Sequence, residues 1–249
     1  MKKHTLKYKE WIEEGIDVLT YHKQLDPKFW DDDNLDPGIR KKLLKIARDF
    51  FESVELDTEV IDIYFMGSMC NYNYNELSDL DTHIVIDYED VGPRELVEKA
   101  VDGERFVWNT RHNISLRGHD VELYIQDVSD KKPHAAIYSL VNDEWVQKPK
   151  FDPPKLTDDD ILPKYNSYVF EINQLEKLMN EESDLDELEK YYTRAKEIKK
   201  KLSEARAMGI KEKGEFSIEN LVFKKLRNEG FVGKLIDVKN GLYDKMFAQ

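Results

Sequence analysis

The chain has 249 residues, 36% of them charged, and a formal net charge of −13 at pH 7. That length suffices for one large or two modest domains with a real core. The acidic balance lacks the global basic field of a general nucleic-acid binder, although RNA held in a local basic groove remains compatible with it.

Cys70 is the single cysteine, which excludes an intramolecular disulfide framework and a cysteine metal cluster. The opening MKKHTLKYKEWIEEG is basic at first but has no apolar h-region, and no run approaches 18 apolar residues. A cytoplasmic protein without a membrane span is therefore expected.

Tyr8, Trp11, Ile12, Ile16 and Leu19 recur at three and four, which predicts a helix over residues 5–22. LDPKFWDDDNLDPG interrupts it, and the acidic run Asp31 to Asp33 reads as a solvated loop. Asp36-Pro37 has the form of an N-cap followed by proline at the first helical position. The helix it opens carries Ile39, Leu43, Ile46, Phe50 and Phe51 and should pack on a sheet.

Strands are predicted at about 59–66 and 80–87 from their apolar, β-branched alternation. Gly92-Pro93 opens a helix expected to break or bend near Gly103. NISLR and DVELYIQD read as a hairpin turning at Gly118-His119, and AAIYSLVNDEWVQ as a second short hairpin. His119 and His134 have no partner at helical spacing and no cysteine, so they are not expected to ligate metal. PKFDPPKL, with three prolines, marks a boundary near residue 150.

Beyond it the pattern is helical: Tyr168, Ile172, Leu175 and Leu178, then a long amphipathic stretch from Leu185 to Ala205, then SIENLVFKKLRNEG and FVGKLIDVKNGLYDKMF. Lysines 199 to 201 read as a solvated face.

The chemistry concentrates in IDIYFMGSMCNYNYNELSDLDTHIVID, residues 61–87. Ile61, Ile63 and Phe65 alternate with Asp62, Tyr64 and Met66. Gly67 then allows a sharp turn and close approach of backbone to a ligand. Ten residues separate Ser68 from Asp79, and Asp79 and Asp81 sit two apart at a strand start, a spacing that projects both from one face. Adjacent carboxylates repel unless a cation lies between them, and Mg²⁺ suits all-oxygen ligands that also meet phosphate. A Gly-Ser turn at a helix N-terminus supplies donors for phosphate oxygens. The two halves suit a metal–triphosphate complex. Cys70, just after the turn, reads as a buried structural thiol in preference to an activated one. Asn71, Tyr72, Asn73, Tyr74 and Asn75 admit two readings, a base or acceptor pocket and a structural loop.

The pattern Gly67-Ser68, ten residues, Asp79-Leu80-Asp81 and an apolar strand resembles the signature of the DNA polymerase β-like nucleotidyltransferase superfamily. LDPKFWDDDNLDPGIRKKLLKIARDF, GSMCNYNYNELSDLDTHIVID and VELYIQD together look like uncharacterised nucleotidyltransferase-domain proteins of tailed bacteriophages, over most of residues 20 to 150. The resemblance implies a third acidic residue on a neighbouring strand, and Glu122 in VELYIQD matches it, with Glu where many members carry Asp.

The fold so implied is α+β: a small mixed β-sheet nucleotidyltransferase core with flanking helices at 1–150, and a C-terminal helical domain at 151–249. The activity implied is transfer of a nucleoside monophosphate from an NTP to a hydroxyl, with release of pyrophosphate. Asp79, Asp81 and Glu122 would be the catalytic, metal-holding residues for Mg²⁺ or Mn²⁺, with Gly67, Ser68, Asn73 and Tyr138 toward the nucleotide. For Tyr138 and its neighbour Ser139, core or sheet-edge positions stand as an equal reading. The acceptor is left open among an RNA or tRNA end, a protein, a small molecule and a second nucleotide. The alternatives are a catalytically silent nucleotide- or protein-binding module on the same fold, and an α+β interaction protein. For a phage-encoded chain the setting would be the host cytoplasm.

Overall fold

Asp36 begins the first long helix for the reason its sequence suggests. Its carboxylate accepts from the amides of Gly38 at 2.8 Å and Ile39 at 3.0 Å, and Pro37 occupies the first helical position. In this computed structural model, residues 18–132, 135–153 and 155–248 are described. The helix predicted over 5–22 lies mostly outside them, as does His134, and residues 18–22 are turn and irregular backbone.

The chain divides into two compact units. One spans Thr20–Pro153. Val18 and Leu19 pack with the helices of the other.

In the first unit, β1 (Trp30–Asp31) and β2 (Asn34–Leu35) form a two-rung hairpin where a loop is expected, with Asp31, Asp32 and Asp33 exposed at its tip. Then follow α1 (Pro37–Val54), β3 (Asp62–Met66), a single 3₁₀ turn (Ser68–Cys70), β4 (Leu80–Ile86), α2 (Tyr88–Val91), α3 (Arg94–Arg111), β5 (Ser115–Leu116), β6 (His119–Asp127), β7 (Ile137–Ser139) and β8 (Glu144–Gln147).

The predicted break in α3 is absent. A side chain at Gly103 would meet nothing within 4 Å, and the helix runs through it because the apolar face from Val97 to Val101 is already buried. The hairpin between β5 and β6 turns on Arg117 and Gly118, both at positive φ as a two-residue type I′ turn requires.

The six strands are ordered β5-β6-β4-β3-β7-β8, antiparallel throughout except for the parallel pair β4/β6. A parallel pair needs a crossover, and α2 and α3 supply it. Alternation sorts the side chains onto two faces. Ile63, Phe65, Leu80, Ile84, Ile86, Leu123 and Ile125 point to the side covered by α1 and α3, and make the core with Leu43, Phe50, Val97 and Val101. The opposite face carries Tyr64, Met66, Asp81, His83, Glu122, Tyr124 and Gln126, a set with far more polar atoms.

The other unit is helical: α4 (Asp158–Glu181), α5 (Leu185–Lys213), α6 (Ile218–Asn228) and α7 (Phe231–Phe247). Ile161, Tyr168, Ile172, Leu188, Ala195, Ile198, Leu202, Leu226, Leu235 and Leu242 form its core. Ser217 caps α6 through the amide of Asn220, and Gly230 at φ 83° separates α6 from α7. Lys196, Lys199, Lys200 and Lys239 line an open concavity of about 550 Å³ on this unit. The protein is thus α+β, a mixed sheet with helices followed by a helical region, and no helix among the described residues is long and apolar enough to cross a membrane.

The end of β6 is tied down by Asp127, which is 3% exposed. Its carboxylate accepts from the amides of Tyr88 at 2.9 Å and Ser129 at 2.8 Å and lies 2.8 Å from the Arg94 guanidinium. Burial alone would raise its pKa, but the bonds from Ser129, Tyr88 and Arg94 override burial and hold it well below the usual carboxylate range. A depressed folded pKa contributes stability that is complete above the unfolded value of about 3.9 and is lost as pH falls through the folded one. Asp127→Asn should therefore cost about 2 kcal/mol at pH 7, and urea titrations at pH 7, 5 and 3 should show that deficit shrinking below pH 4. A deficit independent of pH would remove the charge from the account.

Candidate functional site

Gly67 ends β3 with φ 80° and ψ −162°, a conformation for which glycine alone is suited. It is needed for a second reason. A Cβ there would stand 2.0 Å from Asp81 Oδ2 and 3.0 Å from its Cγ. Met66 and Asp81 are direct partners across β3/β4, so the backbone leaving β3 passes over the Asp81 carboxylate, and only a residue without a side chain fits.

The turn that follows is a single 3₁₀ turn where a short helix is expected. Met69 and Cys70 are buried in it, and the Trp30 indole donates to the Met69 carbonyl at 2.8 Å. Burial pushes the Cys70 thiol well above its ordinary pKa, with the Asp81 charge adding to the effect. Cys70 is an inert part of the core, as expected from the sequence.

Ser68 does its work through a residue that the sequence pattern did not single out. Its hydroxyl donates to Ser78 Oγ at 2.8 Å, and Ser78 Oγ also accepts from the Asn75 amide at 3.0 Å. His119 Nδ1 lies 2.7 Å from the Ser78 carbonyl, and because a carbonyl only accepts, that nitrogen carries the proton. Ser78 is thus held at side chain and carbonyl from three directions, immediately before Asp79. The only sequence sign was Asn75, whose side chain favours an Asx-turn to the amide two residues on and so a tight turn just before Ser78.

Asp81 and Glu122 are register partners on the parallel strands β4 and β6, side by side and half-buried on the face opposite α1 and α3. Neighbouring strands are about 4.8 Å apart, so two carboxylates of like charge sit directly opposite one another. Asp79 is half-buried in the segment entering β4, two residues before Asp81.

The next rung of the same face holds His83 and Tyr124, again register partners. Their rings stack at 4.5 Å and 11°. The Tyr124 hydroxyl donates to Glu122 Oε2, and the Arg105 guanidinium carbon lies 4.9 Å from the Tyr124 ring centre. Burial, then the charges of Asp81 and Glu122, push the Tyr124 hydroxyl far above its ordinary pKa, so it remains a donor. Lys132 Nζ lies 3.3 Å from His83 Nδ1. Burial and the Lys132 charge bring the His83 pKa down to about 3, leaving the ring neutral at neutral pH. Lys132 is itself lowered by burial, against the opposing pull of Asp130 and Asp81.

The remaining expected residues lie elsewhere. Tyr138 partners Phe65 and so occupies the opposite, helix-covered face, buried between Trp30 and Trp145 with its hydroxyl donating to Asp143 at 2.8 Å. The structure does not bring it to Asp81. Ser139 is on the same face as Tyr64 but is buried and bonds Asp62 at 2.8 Å, at the far end of β3. In the 71–75 loop, Tyr72 packs on Tyr21 and Phe151, Tyr74 stacks on His22 at 3.9 Å, and Asn75 Oδ1 accepts from the Leu77 amide. These are structural contacts. Asn73 is 7% exposed, and its Oδ1 has no hydrogen-bond partner among the described residues.

Among the described residues, no group of three His, Cys, Asp or Glu is gathered closely enough to hold a metal as it stands. The donor chemistry nevertheless fits a hard divalent cation: Asp81 and Glu122 oppose each other with oxygen ligands only, and the bare Cα of Gly67 leaves room at the Asp81 carboxylate.

Gly67→Ala should destabilise the protein by about 1–3 kcal/mol from backbone strain alone, with the clash adding to it. The double variant Gly67→Ala/Asp81→Ala should lose less than the sum of the single losses by about 1 kcal/mol or more, because removing the carboxylate removes the collision. Thermal melts of the four proteins measure this, and strict additivity would refute the contact.

Comparison with protein-family models, curated proteins and solved structures finds no match for this chain, so the chemistry of this face has to be judged from the residues that form it.

Proposed function

We propose that the Thr20–Pro153 unit is a metal-dependent nucleotidyltransferase that moves a nucleoside monophosphate from an NTP to a hydroxyl acceptor, on a polymerase β-like nucleotidyltransferase core. The observation that carries this reading is the Asp81–Glu122 register pair with Gly67 folded over the Asp81 carboxylate. Like charges on adjacent strands are costly unless positive charge lies near them; Lys132 and Arg105 supply part of it, and a bound cation would supply the rest.

Asp81, Glu122 and Asp79 are the residues that would hold Mg²⁺ or Mn²⁺, which when bound supplies the charge neutralisation that phosphoryl transfer requires. The chain's own contribution is positional. Gly67 and Ser68 form the turn toward the triphosphate, and the Ser68–Ser78 bond fixes the approach to Asp79. Glu122 would complete the group that holds the cation beside the acceptor hydroxyl, which gives its proton to solvent as its oxygen bonds to the α-phosphorus. The bond from α-phosphorus to the bridging oxygen breaks, and pyrophosphate leaves with the electron pair. The acceptor belongs to one of four classes: RNA or tRNA end, protein, small molecule or second nucleotide.

One observation favours a second reading, a silent nucleotide- or protein-binding module: the three carboxylates are not gathered into one group. Incubation with each α-³²P-labelled NTP, Mg²⁺ or Mn²⁺, and total RNA or lysate separates the two. Wild type should transfer label and Asp81→Asn should not, with the fold of the variant retained. Nuclease or protease sensitivity of the labelled product then gives the acceptor class. Nucleotide binding with no transfer to any acceptor would select the binding module.

A further inference from the structure

Glu122 presents a problem of its own. It is long and flexible, it faces Asp81 across one ladder spacing, and repulsion would swing it away. Tyr124 stands two residues on along β6, on the same face, where a phenol is long enough to reach back one rung. Its hydroxyl donates to Oε2 of Glu122 and so leaves the carboxylate one engaged oxygen and one to offer.

The ring that delivers this bond is itself located by two elements. His83, its register partner on β4, lies parallel to it at 4.5 Å, and Arg105 of α3 sets its guanidinium 4.9 Å from the ring centre. His83 is fixed in turn. An ammonium has donors only, so Nδ1 of His83 accepts from Lys132 at 3.3 Å and the ring cannot turn without losing that bond.

We propose that Tyr124 is a positioning residue for Glu122, holding its carboxylate beside Asp81 in the geometry a bound divalent cation requires, with His83, Lys132 and Arg105 fixing the ring that does so. The inference rests on the reading of the site as a metal-dependent transferase. Outer-shell partners of metal ligands act in this way, and their removal costs about 10–100-fold in affinity or activity.

The test is Mn²⁺ affinity by electron paramagnetic resonance, alongside transfer kinetics, for wild type, Tyr124→Phe, Arg105→Met, Glu122→Gln and Glu122→Gln/Tyr124→Phe. Tyr124→Phe should weaken Mn²⁺ binding about tenfold or more and lower kcat in proportion, with the KM for NTP and the far-ultraviolet dichroism unchanged. Arg105→Met should weaken Mn²⁺ binding in the same direction by about two- to fivefold, and carries the test if the phenylalanine variant does not fold. The double variant should be no worse than Glu122→Gln, since the tyrosine acts through that carboxylate.

If Tyr124→Phe and Arg105→Met bind Mn²⁺ and transfer label as wild type does, while Glu122→Gln loses both, Tyr124 merely satisfies its own buried hydroxyl and the inference fails with the transferase reading intact. If wild type binds neither Mn²⁺ nor Mn²⁺–nucleotide, and Glu122→Gln behaves the same, the transferase reading fails and takes the inference with it.

Discussion

The parallel pairing of β4 with β6 sets Asp81 directly against Glu122, and much of the unit reads as a response to that juxtaposition. Opposed like charges destabilise a ladder. The core face repays this with a continuous apolar contact, Leu80, Ile84 and Ile86 beside Val121, Leu123 and Ile125, all buried under α1 and α3. On the opposite face the nearest rungs answer with donors: the Tyr124 hydroxyl at Glu122, and Lys132 and Arg105 around the His83–Tyr124 stack. The glycine at 67 belongs to the same response, since the strand leaving β3 can close over Asp81 only without a side chain.

Much of this was legible because it is local. The Asp36 cap, the hairpin before β6 and the period-two strands each depend on residues within a few positions. The cap and strands appear where the pattern puts them. The hairpin turns one residue earlier, on Arg117-Gly118, because His119 already pairs with Leu116. Alternation also gives the facing of every residue relative to its own strand. It does not give which face of one strand meets which face of another. Tyr138 illustrates the gap. Beside a serine in a short hairpin it admitted two facings, and only pairing with Phe65 puts it on the helix-covered side.

Illegible features share one cause, contact across long sequence separation. Ser78 receives His119 from 41 residues away, and Lys132 reaches His83 across 49. No window of sequence contains both members. Gly103 shows the opposite error, a local rule overruled by tertiary context. Its intrinsic cost in a helix is about 1 kcal/mol, less than the burial of Val97 and Val101 on the same helix contributes.

The three carboxylates are held with unequal rigidity. Asp81 sits between β3 and β6 and is paired on both sides, Glu122 is paired on the β4 side, and Asp79 lies in the segment after Ser78 that enters β4. Ser78 is held by Ser68 and Asn75 of its own connection and by His119 from 41 residues away. A ligand that engages the Ser68 hydroxyl would compete for one of those three holds and thereby bear on the residue next to Asp79. Loops that carry function on a rigid scaffold commonly have this character. The arrangement couples the turn to the residue that precedes Asp79, two positions before the register pair.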